Sequence, residues 1–280
     1  MRWSPGHRSD NVEDRRGGGG GMMRGAGGMG IGTLVILLIL SLVFKKDFFS
    51  LVGAGGLSPA AETASGPPAE TTPEEEKLVS FVSFVLDDTQ NTWQQLLGQN
   101  YRPAKLVLFR DAVQSACGFA ESATGPFYCP ADEKVYIDLG FYQQLQEQFG
   151  APGDFAQAYV LAHEIGHHVQ NLVGTERQVR EARTQRPDVA NDLSVRLELQ
   201  ADCYAGVWGH SAAQRDKLDP GDTEEGLGAA AAVGDDRLQR MGGGRVVPES
   251  FTHGSSEQRQ QWFQRGFQSG QPDDCDTFKQ

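Results

Sequence analysis

The run His163-Glu164-Ile165-Gly166-His167 decides how this chain is read, and it sits inside residues 155–173, FAQAYVLAHEIGHHVQNLV. Phe155, Tyr159, Leu161, Ala162, Ile165 and Val169 supply apolar faces at helical spacing, Asp154 stands where a cap belongs, and Gly174 closes the segment. Residues four apart on a helix share a face, so the imidazoles of His163 and His167 can converge on one metal ion. Glu164 follows the first of them and can point at the ion's open position without binding it. His168 lies about 100° further round the helix and is read as a packing or polar partner, not a ligand.

A catalytic zinc takes three protein ligands and keeps a fourth position for water. Gln170 and Val173 stand where a three-histidine arrangement would need glycine and histidine, which excludes that class. The other solution is a carboxylate from a second helix, and Glu198-Leu199-Gln200-Ala201-Asp202 offers one within a helix over residues 192–208. Glu198 is the candidate third ligand. Asp202, one turn on, is the candidate acceptor for the free ring N–H of a ligating histidine, a contact that fixes its tautomer. Two neutral imidazoles and one carboxylate leave Zn2+ positive enough to bring its water's pKa to about 7. With Glu164 as the base, the set fits metal-assisted hydrolysis of a peptide bond. His253, in Phe251-Thr252-His253-Gly254 just ahead of a capped helix, is the candidate oxyanion stabiliser. Residues 135–138 precede the metal helix and are read as a strand whose edge can take an extended peptide.

The surrounding domain reads as α+β, mostly helical with a small sheet. Thr72-Pro73-Glu74-Glu75 starts a helix to residue 97, with Thr as cap and Glu three residues later. KLVLF at 105–109 and KVYID at 134–138 read as strands. Residues 141–149 form a short helix and residues 175–191 a charged, Arg-rich connection. Asp222 caps an Ala-rich helix, and Ser255-Ser256-Glu257-Gln258 opens a last one to residue 267.

The 280-residue chain has a net charge of −12, which argues against a nucleic-acid partner. The charge is uneven: residues 1–46 hold seven basic against three acidic side chains, the remainder 18 against 34. Residues 1–24 read as a flexible Arg/Gly-rich tail. Residues 25–46 read as a transmembrane signal anchor, because the uncharged stretch from Gly25 to Phe44 spans about 30 Å as a helix. Residues 47–73 form a Pro/Ala-rich linker and residues 74–280 the metal-binding domain. Five arginines before the span and two lysines after it place the N-terminus in the cytoplasm and the domain outside. Asp10 to Arg16 on the short side of the span points to a partner for the cytoplasmic tail. Four cysteines, all beyond the span, fit two disulfides in an oxidising compartment, with four reduced thiols as the alternative. Cys117 and Cys129 bracket a Gly/Pro-containing segment and make one pair; Cys203 and Cys275 are left for the other.

Several stretches together resemble the bacterial putative neutral zinc metallopeptidase family. They are Arg2-Trp3 with Ser9-Asp10-Asn11-Val12-Glu13-Asp14-Arg15-Arg16, VYIDLGFY at 135–142, HEIGHHVQN at 163–171, ELQADCYAGVW at 198–208, GDDRLQ at 234–239 and FTHGSSEQRQQWF at 251–263. The resemblance implies a zincin-like fold of gluzincin type, one N-terminal anchor and placement at the bacterial cytoplasmic membrane. The expected activity is that of a membrane-tethered zinc endopeptidase acting on extracytoplasmic proteins. The alternative is a zinc-stabilised binding or scaffold module on the same fold. Glu164 argues against it, since a scaffold needs no base there.

Overall fold

The computed structural model describes residues 1–17 and 71–279. In chain order these form β1 (Val12–Asp14), α1 (Pro73–Leu97), β2 (Lys105–Phe109), β3 (Ala112–Ser115), β4 (Gly118–Glu121), β5 (Phe127–Cys129) and β6 (Lys134–Asp138). There follow α2 (Gly140–Glu147), α3 (Asp154–Val173), α4 (Thr175–Gln185), α5 (Ala190–Gln214), α6 (Asp222–Ala232), α7 (Asp235–Met241) and α8 (Ser256–Ser269). Four strands make one sheet in the order β1-β2-β6-β5, with β5 antiparallel to β6 and the other pairs parallel; β3 and β4 form a separate hairpin. The architecture is therefore mixed α+β, dominated by helices.

Helix α3, which holds the HEIGH run, lies at the centre and packs against α1, α5 and α6. Its apolar side chains Phe155, Tyr159, Leu161, Ile165 and Val169 are all buried, and Trp208 of α5 stacks on Phe155 at 5.5 Å. Helices α5 and α8 meet at their glycines. A Cβ on Gly206 would stand 2.1 Å from the Phe263 carbonyl oxygen, and one on Gly266 would stand 1.9 Å from that of Cys203. Only hydrogen fits at either crossing point. The α1 start has its capping box, Thr72 with Glu75, and α8 has one from Ser255 with Gln258.

The caps expected of two aspartates differ. Gly153 and Gly221 are the N-caps of α3 and α6, while Asp154 and Asp222 are first helical residues. Both carboxylates are drawn instead to the Met1 amino group, at 2.6 and 3.3 Å, and the Phe155 N–H is met by Glu225 of α6 at 3.1 Å. Residues 175–185, read as a connection, are helical; α4 buries little beyond Val179, so its sequence has no apolar stripe to announce it. Strand β6 is not an edge. Val135, Tyr136 and Ile137 are all buried, as a strand with neighbours on both sides requires, and the sheet's edges are β1 and β5, with β5 next to β6.

The largest correction concerns the N-terminus. Residues 1–17, read as part of a flexible tail, belong to the folded unit. β1 adds to the free side of β2, pairing Val12 with Leu106 and Asp14 with Leu108. The Arg16 side chain, 2% exposed, donates to Asp14 at 2.7 Å and to Glu76 of α1 at 3.0 Å, and Lys134 of β6 donates to Glu13 at 2.6 Å. Residues 10–16 thus make their contacts with the sheet and α1. A strand hydrogen-bonded into the sheet belongs to the same folded unit as the domain, where the sequence alone suggests a separate tail. The expected span at 25–46, and the linker up to residue 70, lie outside the described residues; among the described residues no helix is long and apolar enough to cross a membrane. Both disulfides are present. Cys117–Cys129 fastens the β3–β4 hairpin to β5, and Cys203–Cys275 fastens the C-terminal segment to α5.

Candidate active site

The two imidazoles of the HEIGH run are oriented by acceptors behind them. His163 Nδ1 donates to Asp202 Oδ1 at 2.8 Å, and His167 Nδ1 donates to Gln170 Oε1 at 2.8 Å. Carboxylate and amide oxygens only accept, so both ring protons sit on Nδ1 and both Nε2 lone pairs face forward. The Nε2 atoms lie 3.2 Å apart, and Glu198 brings its carboxylate to 3.2 Å from that of His163 and 3.5 Å from that of His167. Two lone pairs and a carboxylate so close repel unless a cation lies among them. The donor set therefore fits a divalent metal, and nitrogen with carboxylate oxygen suits zinc. Burial opposes the charged imidazole, but Asp202 and then Glu198 outweigh it and push His163 up to about 9. For Glu198, burial acts upward, yet His167 and His163 hold the carboxyl well below its ordinary value.

Asp202 is fully buried and accepts four hydrogen bonds: from Tyr159 Oη at 2.5 Å, His163 Nδ1 at 2.8 Å, and Arg259 Nε and Nη2 at 2.8 and 2.9 Å. The Arg259 fork comes from α8, so the crossing of α5 and α8 at their glycines supplies the charge that keeps Asp202 ionised. Burial raises the Asp202 carboxyl, and Arg259 followed by His163 outweighs it, leaving it lowered. Gln170 is held in its turn, its Nε2 donating to the Leu197 carbonyl at 2.7 Å.

Glu164 is 7% exposed and opens onto the same cleft; burial pushes its carboxyl up, with His163 and His167 partly offsetting the rise. His253 reaches the cleft from the loop before α8. Asp235, at the start of α7, shapes that loop: its Oδ2 accepts the backbone N–H of Thr252, His253 and Gly254 at 2.7, 2.7 and 3.0 Å. Its Oδ1 lies 3.1 Å from His253 Nδ1 and raises the imidazole pKa. The cleft measures about 580 Å³. Phe127 and Tyr128 of β5 line it, and Phe141, Phe149, Val160 and Leu238 are among its apolar lining residues.

The structure thus brings together His163, Glu164, His167, Glu198 and His253 in one cleft, with Asp202 behind His163. Sequence reading missed Tyr159, Gln170, Asp235 and Arg259. Asp235 and Arg259 fall within the GDDRLQ and FTHGSSEQRQQWF stretches, but no spacing rule links Arg259 to a carboxylate 57 residues earlier.

Comparison with known proteins agrees with this geometry. The chain is 48% identical over 288 aligned positions to the uncharacterized protein YpfJ of Escherichia coli K12, covering 99% of both chains. It is 47% identical over 197 positions to the uncharacterized protein Rv2575 of Mycobacterium tuberculosis H37Rv, covering 66% of each. No solved structure matches it. The family described as putative neutral zinc metallopeptidases matches residues 1–278, its name implying zinc and a peptide substrate. A match of that extent, over a fold that gathers two histidines and a glutamate, means that the chain belongs to the putative neutral zinc metallopeptidase family.

Proposed function

We propose that the protein is a zinc-dependent endopeptidase of gluzincin type, hydrolysing peptide bonds of extracytoplasmic proteins. The observation that supports this most is the convergence of His163, His167 and Glu198, whose ligand atoms lie within 4.8 Å of one another, at a cleft that Glu164 and His253 also line. Zinc held by these three residues supplies a Lewis acid for the scissile carbonyl and lowers the pKa of the attacking water. Glu164, raised by burial, takes the proton of that water and returns it to the leaving amine, the two-way duty that suits a carboxylate pKa above its ordinary value. His253, with Nδ1 turned to Asp235, has Nε2–H free to donate to the developing oxyanion. The open edge of β5 offers backbone groups to an extended chain.

Val160, an apolar lining residue, lies one turn before Glu164 on α3 and so flanks the base. The amine that Glu164 protonates belongs to the residue after the scissile bond, and an apolar side chain there fits this neighbour. Two disulfides support an oxidising compartment. Attachment to a membrane through residues 25–46 is part of the same proposal.

The test is digestion of a proteome-derived peptide library by the zinc-loaded full chain, beside the Glu164→Gln variant. The variant is expected to keep its zinc and cleave about 10²–10⁴-fold more slowly. Equal cleavage by both would sink the mechanism. Zinc binding with no cleavage by the wild type would favour the scaffold reading.

A further inference from the structure

His168 follows His167 in α3, yet the proposed reaction leaves it without a task. It is fully buried. Its Nε2 lies 2.6 Å from the backbone carbonyl of Arg102, which only accepts, so the ring proton is on Nε2. Nδ1 must then accept, and the Tyr128 hydroxyl, 3.0 Å away, donates to it. That hydroxyl in turn accepts from Asn171 Nδ2 at 3.0 Å. The imidazole also stands edge-on to the rings of Tyr101 and Tyr128, with centroids 5.7 and 5.4 Å away. Asn171, Tyr128, His168 and the Arg102 carbonyl therefore form one directed chain, with both ring nitrogens of His168 engaged.

Tyr128 is the middle residue of β5, a strand that lines the cleft. β5 is three residues long and has one neighbour, pairing Tyr128 with Val135 of β6. So short an edge strand is weakly fixed by its own ladder, and a one-residue slip would turn Tyr128 to the opposite face. Its ends are held to the sheet side, Cys129 by the disulfide to Cys117 and Phe127 by stacking on Tyr136 at 4.9 Å, while the contact that ties its middle residue to the metal helix comes from the residue next to a metal-ligand candidate.

We propose that His168 and Asn171 are positioning residues that lock β5 in register against the metal helix, so that a peptide added to β5 presents its scissile bond to Glu164. The inference rests on the peptidase reading and deepens it. Tyr128→Phe, Asn171→Ala, His168→Phe and His168→Gln variants of the full chain test it, with three readouts: zinc content, KM and kcat on a quenched peptide, and hydrogen exchange of the β5 amides. Tyr128→Phe and Asn171→Ala should raise KM and speed β5 exchange by about three- to tenfold, the size of a lost hydrogen bond, with kcat within about twofold and zinc unchanged. His168→Gln, which keeps an N–H donor and an oxygen acceptor, should restore most of what His168→Phe loses. Unchanged KM and unchanged β5 exchange in both Tyr128→Phe and Asn171→Ala would overturn the proposal, as would loss of zinc in either. A wild type that cleaves nothing would count against the peptidase reading alone, because β5 exchange still reports the register.

Discussion

Asp202 concentrates the energetics of the site in two carboxylate oxygens. Four donors meet there, and one of them is the buried guanidinium of Arg259. Asp202→Asn keeps the shape and removes the charge, which leaves Arg259 buried without its counter-ion. The expected loss is about 3–5 kcal/mol of stability by chemical denaturation, together with about 10–100-fold in zinc affinity. Glu198→Ala removes the carboxylate of the proposed zinc site and should abolish stoichiometric zinc. His253 gives a pH test. Its pKa is raised, so it stays cationic above the ordinary 6.5 and loses its proton only as pH climbs through the raised value. Activity should therefore fall on the alkaline side, and Asp235→Asn should move that limb to lower pH in a rate profile. At this scale the candidate ligands His163 and His167 were legible in sequence, because their four-residue spacing is local to one helix. Asp235 and Arg259 were not: what each touches depends on which helices and loops the fold brings alongside, and even Gln170, three residues after His167 on the same helix, is held from behind by α5.

Whole elements carry their own constraints. The α5–α8 crossing at Gly206 and Gly266 sets where Asp202 and Arg259 meet, so Gly206→Ala should cost at least about 2 kcal/mol in stability and weaken zinc binding with it. The N-terminal segment is held largely by charge. Asp14 and Glu76 are lowered from 3.8 and 4.5, chiefly by hydrogen bonds from Arg16. A lowered carboxyl stabilises the docked state above its unfolded pKa, and that contribution is lost as pH falls through the folded value. Residues 1–17 should thus be protected from hydrogen exchange near neutrality and released below about pH 4, before α3 exchanges. Equal loss in both segments would contradict this. KLVLF and KVYID were readable as strands because their apolar character spans five residues. β1 and β5, at three residues each, acquire strand character only from a neighbour far away in sequence.

For the molecule as a whole, Cys203–Cys275 is the long-range tie. It closes a separation of 72 residues and begins one position after Asp202. By loop-closure entropy it contributes about 4 kcal/mol, so its reduction should lower stability by that order in denaturant titrations. The composition split between the first 46 residues and the rest suggested two sides of a membrane. In the structure β1 pairs within the sheet of the acidic domain. Reporters fused at residue 1 and at residue 280 should read the same side; opposite readings would show that β1 does not dock in the cell.

The place of β1 also sets an order of events in time. Val12 pairs with Leu106, and the Arg2 N–H donates to the Lys217 carbonyl, so residues 1–17 wait for partners made later. At 5–20 residues per second the wait is about 5–20 s for the strand pairing and about 10–40 s for the Lys217 contact. Until then β2 keeps an open side, and the segment is seated in two steps, strand first and Arg2 after.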